Sequence, residues 1–360
     1  MKNNFTIAMV LITIGVFAQA PANYYNNATG TGYALKTQLY NIIQSHTTRS
    51  YSSLYTCYTT SDVDSFYEND GTILDIYSEN PTAADSYNYS PTNTGDRCGD
   101  YRLEGDCYNR EHLVPQSVFN EASPMVSDAH HILPTDGKVN NQRNNYAFGR
   151  VDNPTWTSQN GSKLGPNVNS GYTAGYSNTV FEPIDEFKGD IARCYFYMAT
   201  CYQNVIANWD AYAMFDRTSD HVFTNWSLNT LLTWAALDPV SDKEITRNNA
   251  VYAFQGNRNP FIDHPEYAAQ IWGEVAGLND FVASTVSVYP NPTVNHEVNI
   301  YSESPLETIE VINLNGQLIQ SIQKPQAVSN TYTVKDLSQG FYMLRATSGN
   351  QMVTKKIIVN

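Results

Sequence analysis

Three side chains in this chain have complementary chemistry and lie close together in the sequence. Glu111 and His112 are adjacent, and Asn140 follows His112 by 28 residues. Carboxylate and amide oxygens are suitable ligands for a hard divalent cation, and a neutral imidazole can take a proton from water near neutral pH. A bound cation beside a general base is able to hydrolyse a phosphodiester. The pattern therefore predicts a hydrolytic centre that holds one metal ion.

The two adjacent residues also have ordinary structural interpretations. An isolated histidine is more often a hydrogen-bonded structural residue than a catalyst, but here Arg110 and Glu111 immediately precede His112. Side chains at successive positions of a regular strand point to opposite faces, which argues against a shared site. Pro115 favours a strand that ends near His112, and such an ending would allow both side chains to serve.

The segment around Asn140 is predicted to begin a helix. Asp136 is a suitable N-cap for a helix that starts at Gly137, which places Asn140 in the first turn. Asparagine has poor helix propensity, so its density here favours a polar binding surface, with a loosely wound polar loop as the alternative. The polar and basic residues of this segment are Asn140, Asn141, Arg143, Asn144, Asn145 and Arg150.

Helices and loops must position this centre. Apolar residues with helical spacing begin at Leu35, and the segment most typical of a buried helix begins at Phe187. The segment 61–106 is rich in Asn, Asp, Pro and Gly, which predicts loops with short strands. The predicted helices cover 34–55, 187–202, 227–236 and 242–254.

The chain changes character after Ser284. Alternating Val, Ile and Thr residues predict a small all-β, Ig-like sandwich of about seven strands, and Asn315-Gly316 is a strong hairpin signal. The fold class is α+β, with a mixed helical and loop domain before the sandwich. The predicted bounds are 1–20 for a signal peptide, 21–276 for the catalytic domain, 277–283 for a linker and 284–360 for the sandwich.

The amino terminus has the pattern of a secretory signal peptide. Lys2 precedes an apolar run over 7–18, which is too short to span a bilayer, and small residues follow. Cleavage is predicted after Ala20, with cleavage after Ala18 as the alternative because Pro21 disfavours the first site. No later stretch is apolar enough to span a membrane, so we expect an exported protein without stable membrane insertion.

Five cysteines in an exported chain favour disulfides over zinc, since no Cys-x-x-Cys pair occurs. Cys98 and Cys107 enclose a short loop just before the predicted centre, and we expect a bond between them. Cys194 and Cys201 share a helix face but are roughly 10 Å apart by helical rise, too far to bond each other. Cys57 is expected to pair with one of them, which leaves one thiol free.

The net charge of −14 restricts the function. Its acidic excess lies before Ser284, because the later residues contain five Lys+Arg and five Asp+Glu. Net charge governs solubility and long-range steering, while a local cation and arginines can still hold a phosphate. The composition therefore excludes a protein that coats nucleic acid and favours a catalyst that depends on its metal.

Four segments in order resemble the endonuclease I family of secreted and periplasmic bacterial nucleases, which belongs to the His-Me finger (ββα-metal) group. The first contains Glu111 and His112, and the second contains Asn140. Two positions depart from the family pattern, since His131 stands where Asn is usual and Ala235 where His is common. The four segments cover 107–112, 133–145, 191–198 and 255–265.

The resemblance implies a ββα-metal core and a largely sequence-nonspecific endonuclease that hydrolyses DNA, and RNA as a further substrate. One Mg²⁺ would be bound by Glu111 and Asn140, with Ca²⁺ or Mn²⁺ as alternatives, and His112 would be the general base. Arg110 is expected to act beside His112 on the reacting phosphate. We expect a monomer whose nucleic-acid contacts are Arg143, Asn144, Arg150 and Arg258.

The final segment, 284–360, resembles the C-terminal sorting domain of the type IX secretion system of certain Gram-negative bacteria. This resemblance implies contact with the export machinery, passage across the outer membrane and removal on export. An Ig-like binding module is the alternative. The matching motifs are 288–292, 313–316, 337–342 and Lys355-Lys356.

Two other functions are consistent with parts of the sequence. A zinc phosphoesterase would use His112, His130 and His131, although adjacent strand residues diverge and no further ligand set surrounds them. A non-catalytic surface adhesin would use the β-module for binding and the first domain as scaffold. Within the nuclease hypothesis, the motifs do not discriminate RNA from DNA, because no residue in them is specific for the 2′-hydroxyl that distinguishes RNA.

Overall fold

The computed structural model describes residues 20–273, 286–302, 305–313, 317–348 and 351–360. The predicted signal peptide lies outside these ranges except for Ala20, and the predicted linker, 277–283, and the Asn315-Gly316 turn lie wholly outside them. The chain divides into two compact units, Met1–Trp272 and Gly273–Asn360. Each unit is described by itself.

The first unit is built mainly from helices. All fourteen residues of α4, Lys188–Cys201, are buried, which confirms the predicted buried helix. Helix α6, Asp242–Gln255, begins with a capping box formed by Ser241 and Glu244. Among the described residues, no helix is long and apolar enough to cross a membrane. The other helices are α1 Gly32–Ile43, α2 Leu54–Ser61, α3 Gly137–Arg143, α5 Asn225–Leu237, α7 Pro260–Asp263 and α8 Glu266–Trp272.

The predicted helix over 34–55 is divided in two. Helix α1 ends at Ile43 and α2 begins at Leu54. Between them, the backbone N–H of Thr47 donates to the Gln255 carbonyl at 2.7 Å. A distant element therefore satisfies a group that a continuous helix would have paired internally. The prediction of one helix is wrong because this tertiary contact outweighs the local spacing.

Two small sheets complete the first unit. Strand β1, Tyr108–His112, pairs antiparallel with β2, Ile132–Asp136, and His112 lies opposite Ile132. The second sheet contains β3 Ala147–Phe148, β4 Trp156–Thr157, β5 Lys163–Pro166 and β6 Thr179–Glu182, in the spatial order β3-β6-β5-β4.

Helix α3 follows β2 without an intervening loop. Asp136 is both the last residue of β2 and the N-cap of α3, where its Oδ1 accepts the N–H of Val139 at 2.7 Å. Its Oδ2 accepts hydrogen bonds from the Tyr89 hydroxyl at 2.7 Å and the Gly105 N–H at 2.8 Å. The predicted cap is therefore confirmed, and the same carboxylate connects α3 to the preceding loops.

The predicted disulfide between Cys98 and Cys107 is present and packs against the start of α3. The N–H of Gly137 donates to the Cys107 carbonyl at 2.9 Å. A Cβ at Gly137 would collide with Sγ of Cys98. Glycine is required there because the disulfide occupies the space that a side chain would need.

The other cysteines, Cys57, Cys194 and Cys201, are free and buried. Sγ of Cys57 lies 3.4 Å from Oγ of Ser61 in its own helix, whereas Sγ of Cys201 lies 3.7 Å from the Ile43 carbonyl. The predicted bond to Cys57 is wrong because these thiols face different neighbours. Burial raises the pKa of Cys57 to about 11 and that of Cys194 to about 12, so both remain protonated.

The second unit is all-β, as predicted. Its described strands are β7 Val286–Tyr289, β8 Val298–Ser302, β9 Thr308–Asn313, β10 Leu318–Gln323, β11 Thr331–Val334, β12 Gly340–Ser348 and β13 Gln351–Val359. They form two antiparallel sheets with the orders β10-β9-β12-β13 and β11-β8-β7. Val298, Ile300, Val311 and Leu344 are fully buried in one core, which accounts for the alternation of apolar residues in these strands.

We predict that Asp136→Ala lowers the free energy of unfolding by about 2–4 kcal/mol, because it removes an N-cap and leaves buried donors unpaired. Urea denaturation would measure this loss. Asp152→Ala is the matched control, since Asp152 is exposed and its replacement should change stability by less than about 0.5 kcal/mol. Equal stability of the two variants would contradict the capping role.

Candidate active site

Glu111 lies near the end of β1 with its carboxylate buried and held by two partners. The residue is 2 % exposed. Its Oε1 accepts a hydrogen bond from the Tyr77 hydroxyl at 3.0 Å and lies 3.2 Å from Nη1 of Arg143. Burial raises the pKa of Glu111 to about 7, although Arg143 and Tyr77 favour the charged form. Oε2 has no hydrogen-bond donor among the described residues, so this oxygen is available to a cation.

Arg143, the last residue of α3, joins this helix to the end of β1. Its guanidinium pairs with Glu111 and donates to the carbonyls of His112 at 3.0 Å and Leu113 at 2.6 Å. Asn140 lies three residues earlier, on the helix face that Arg143 directs toward β1. Within the described part of the chain, the amide of Asn140 forms no side-chain hydrogen bond. Glu111 and Asn140 are therefore carried by two elements that Arg143 joins, and each has a side-chain oxygen without a hydrogen-bond donor in the described part of the chain.

One ring nitrogen of His112 is hydrogen-bonded to the backbone, and the other has no hydrogen-bond partner among the described residues. Its Nε2 lies 3.2 Å from the carbonyl oxygen of Val126. A carbonyl only accepts hydrogen bonds, so we assign the proton to Nε2 and the lone pair to Nδ1. Burial, followed by the neighbouring His131, lowers the pKa of His112 to about 3, which keeps the ring neutral at physiological pH. Nδ1 has no partner among the described residues and can accept a proton.

Arg110 lies on the same face of β1 as His112. Its guanidinium stacks on the Tyr51 ring at 3.6 Å, and the imidazole of His112 lies 5.6 Å from the same ring. Tyr55 covers the guanidinium on another side at 4.5 Å. Glu111 points to the opposite face, as strand geometry requires. Because β1 ends at His112, the imidazole and the Glu111 carboxylate lie on different faces of one strand end.

Two arginines predicted to contact nucleic acid are instead buried partners of protein groups. Arg143 and Arg258 are each 1 % exposed. Nε and Nη2 of Arg258 both donate to the Asp263 carboxylate at 2.7 Å. A buried guanidinium could reach a phosphate only by leaving these acceptors unpaired. The burial of both residues argues against a contact to nucleic acid, and the contacts stay untested predictions. Arg150 and Asn144, by contrast, are exposed.

Three tyrosines in the site were not predicted from the sequence. Tyr77 donates to Glu111, Tyr195 donates to the Leu113 carbonyl at 2.7 Å, and the hydroxyls of Tyr195 and Tyr212 lie 2.9 Å apart. These hydroxyls complete the hydrogen bonds around the end of β1. The only sequence signal was the abundance of tyrosine, 26 residues, which does not identify particular positions.

The three histidines of the zinc alternative do not share a ligand site. Nε2 of His130 lies 3.0 Å from the Asn257 carbonyl, and Nε2 of His131 lies 2.8 Å from the Met125 carbonyl. Together with the contact of His112 to Val126, each imidazole is directed to a different backbone oxygen. This arrangement gives no support to a three-histidine zinc centre.

Asp128 belongs to a separate buried cluster. Ligand atoms of His46, Asp128 and Cys201 lie within 4.8 Å of one another. However, Oδ2 of Asp128 already accepts the hydroxyls of Tyr197 at 2.7 Å and Tyr202 at 2.6 Å, and Oδ1 accepts from Gln255 at 2.8 Å. A carboxylate with this many donors is satisfied by protein, so we interpret the cluster as a structural hub.

Comparisons with known proteins match both units of the chain. A family model described as Endonuclease I matches residues 31–266, and a model described as Secretion system C-terminal sorting domain matches residues 287–360. The extracellular ribonuclease of Bacillus amyloliquefaciens is 35 % identical over 257 residues, which cover 69 % of this chain and 78 % of that protein.

Further relatives include the extracellular ribonuclease of Bacillus subtilis, 34 % identical over 69 % of this chain and 78 % of that protein. Endonuclease-1 of Buchnera aphidicola is 25 % identical over 38 % of this chain and 46 % of that protein. The segments that contain Glu111, His112 and Asn140 lie within the region matched by the first family model.

We predict that Arg143→Lys lowers the free energy of unfolding by about 3 kcal/mol, because lysine cannot serve two carbonyls and a carboxylate in the geometry of a guanidinium. Thermal or urea unfolding would detect it. Arg150→Lys, at an exposed position, is the control and should change stability by less than about 0.5 kcal/mol. Unchanged stability of Arg143→Lys, combined with weakened nucleic-acid binding, would contradict the structural role and support the predicted nucleic-acid contact of Arg143.

Proposed function

This chain belongs to the endonuclease I family and carries a C-terminal secretion sorting domain, and from that premise we propose a one-metal, histidine-based endonuclease mechanism. Membership makes the protein a secreted nucleic-acid hydrolase. The observation that carries the mechanistic proposal is the free Nδ1 of neutral His112, which lies next in sequence to a buried carboxylate with one free oxygen.

We assign the role of general base to His112. Nδ1 takes a proton from water as the water oxygen attacks phosphorus, and the bond from phosphorus to the 3′-oxygen breaks. The Val126 carbonyl holds Nε2–H and therefore keeps the tautomer in which Nδ1 is unprotonated. Since the pKa of His112 is lowered to about 3, the imidazole is unprotonated over the whole physiological pH range, and the same low pKa makes it a weaker proton acceptor than an ordinary histidine.

Glu111 and Asn140 are the residues that we assign to a divalent cation. Their free carboxylate and amide oxygens are hard ligands that suit Mg²⁺, with Ca²⁺ and Mn²⁺ as alternatives, and solvent and substrate would supply the other ligands. When bound, Mg²⁺ supplies positive charge to the phosphate and to the departing 3′-oxygen. Tyr77 and Arg143 orient the carboxylate from the side opposite its free oxygen.

Of the four arginines predicted to act on phosphates, Arg110 and Arg150 are the two that are not buried among protein partners. Arg110 is half-buried between Tyr51 and Tyr55, on the His112 face of β1, which suits a contact to the reacting phosphate. Arg150 is exposed, and we assign it, with Asn144, to the neighbouring backbone. Contacts to phosphates carry no sequence information, so we propose a largely sequence-nonspecific enzyme.

We propose both RNA and DNA as substrates. The Bacillus relatives are named extracellular ribonucleases, and the Buchnera relatives are named Endonuclease-1. A site that holds phosphate and a cation reads neither the base nor the 2′-hydroxyl, so either nucleic acid could be cleaved.

We also assign β1, β2 and α3 to a His-Me finger core, because an antiparallel strand pair leads directly into the helix that carries Asn140. The domain assignment is 1–20 for the signal peptide, 21–276 for the nuclease, 277–283 for the linker and 284–360 for sorting. The sorting domain would contact the export machinery, and the released nuclease would act as a monomer.

His112→Ala should lower the rate of plasmid nicking at least about 100-fold, because the general base is lost. EDTA should abolish nicking by the wild-type protein, and added Mg²⁺ should restore it. His264→Ala is the matched control, since His264 is partly exposed and pairs with Glu266 on another part of the unit. Nicking by His112→Ala at the wild-type rate would reject His112 as the base.

Arg150→Ala should weaken binding to DNA and RNA equally and reduce the slope of log affinity against log salt by about 1, because one phosphate contact is removed. Fluorescence anisotropy at several salt concentrations would measure both quantities. Lys335→Ala, in the second unit, should change neither the affinity nor the salt slope. A change in cleavage pattern with an unchanged salt slope would contradict the phosphate contact.

A further inference from the structure

Three carboxylates converge in the loop-rich segment 62–106 of the first unit. Carboxylate oxygens of Glu68, Glu79 and Asp85 all lie within 4.8 Å of one another. None of the three forms an ion pair with a basic residue in the described part of the chain. Three like charges at this separation repel each other strongly unless a proton or a cation is shared among them. This acidic cluster lies apart from Glu111 and Asn140 in sequence and does not include them.

Glu79 is the unusual member of the acidic cluster. The residue is 1 % exposed, and neither Oε1 nor Oε2 has a hydrogen-bond partner. A buried carboxylate is normally satisfied by donors or paired with a cation, since isolated burial is costly. Because one of its oxygens lies within 4.8 Å of oxygens of Glu68 and Asp85, the buried group is aimed into the cluster.

The backbone around the acidic cluster is held in place by other hydrogen bonds. Asp85 Oδ1 accepts the Asn80 N–H at 2.7 Å, and the Asn160 amide donates to the Glu79 carbonyl at 3.3 Å. Asp64 accepts the backbone N–H groups of Phe66, Tyr67 and Asn69, and so shapes the turn that presents Glu68. The three carboxylates are therefore brought together by the fold and not by attraction to each other.

We propose that Glu68, Glu79 and Asp85 bind one Ca²⁺ ion that stabilises this segment. Ca²⁺ takes six to eight oxygen ligands in irregular geometry and suits carboxylates on loops, whereas Mg²⁺ requires a regular octahedron. The three residues supply carboxylate oxygens only, and water would complete the shell. A secreted protein meets Ca²⁺ at concentrations that match the weaker class of extracellular sites, with Kd values of about 0.1–1 mM.

The electrostatics of the acidic cluster agree with this geometry. Burial and then the neighbouring carboxylates raise the pKa of Glu79 to about 9, and burial is the main cause that raises the pKa of Asp85 to about 6. A divalent cation would offset this repulsion.

The Ca²⁺ ion would also support the candidate active site at a distance. Glu79 lies two residues after Tyr77, whose hydroxyl donates to Glu111, and four after Asp75, whose Oδ2 accepts the Asp136 N–H at 2.7 Å. Ordering this segment therefore orders a hydrogen-bond donor to Glu111. The inference concerns stability and does not depend on the proposed catalytic mechanism.

Differential scanning calorimetry of the whole secreted protein tests the proposal directly, with EDTA and with 10 mM Ca²⁺ as the two conditions. Ca²⁺ should raise the Tm of the nuclease unit by about 3–6 °C, as expected for a site with a Kd of about 1 mM in a unit of this size. Glu79→Gln should remove most of this shift and, in EDTA, should unfold near the wild-type Tm, since the raised pKa of Glu79, about 9, leaves its carboxyl uncharged at neutral pH when no cation is bound.

Two further variants separate this site from other effects of Ca²⁺. Asp100→Asn removes an exposed carboxylate from the same segment and should keep the full shift. Glu111→Gln should keep the part of the shift that depends on Glu79, because the proposed Ca²⁺ site is distinct from the candidate active site, where Ca²⁺ is an alternative ion with its own contribution. The absence of a shift in the wild type, an equal shift in Glu79→Gln, or loss of the shift in Glu111→Gln would each overturn the proposal.

Discussion

The buried ion pair between Arg143 and Glu111 is the interaction on which the candidate site depends. The guanidinium is anchored on α3 and reaches Glu111 and the carbonyls of His112 and Leu113 at the end of β1. Removal of either partner would leave a charge buried without compensation, which is far more costly than loss of a surface pair. This contact fixes the distance between the strand that carries Glu111 and the helix that carries Asn140.

The same burial gives the neighbouring groups their different properties. It lowers the pKa of His112 to about 3, so the imidazole stays neutral, and it raises that of Glu111 to about 7, where a nearby cation favours the charged form. In the proposed mechanism, this one environment supplies both the proton acceptor and the metal ligand. Strand geometry keeps the two side chains on opposite faces of β1, which ends at His112.

Local features of this site could be predicted from the sequence, and long-range partners could not. The Asp136 cap, the strand end before Pro115 and the disulfide between Cys98 and Cys107 each follow from residues close in the chain. Arg143 in a polar segment was indistinguishable from a surface arginine until its acceptors, about 30 residues away, were placed. Tyr77 joins the site from an irregular loop whose path no periodic pattern specifies.

The most direct test of the account is the position of a bound cation. Anomalous diffraction from crystals of His112→Ala soaked in Mn²⁺ would locate it without cleavage of a nucleic acid. The account predicts a peak within roughly 2 Å of both Oε2 of Glu111 and Oδ1 of Asn140, typical of a hard cation on oxygen. A fully occupied Mn²⁺ site that excludes Glu111 or Asn140, or the absence of any peak near them, would contradict the assignment of the metal centre.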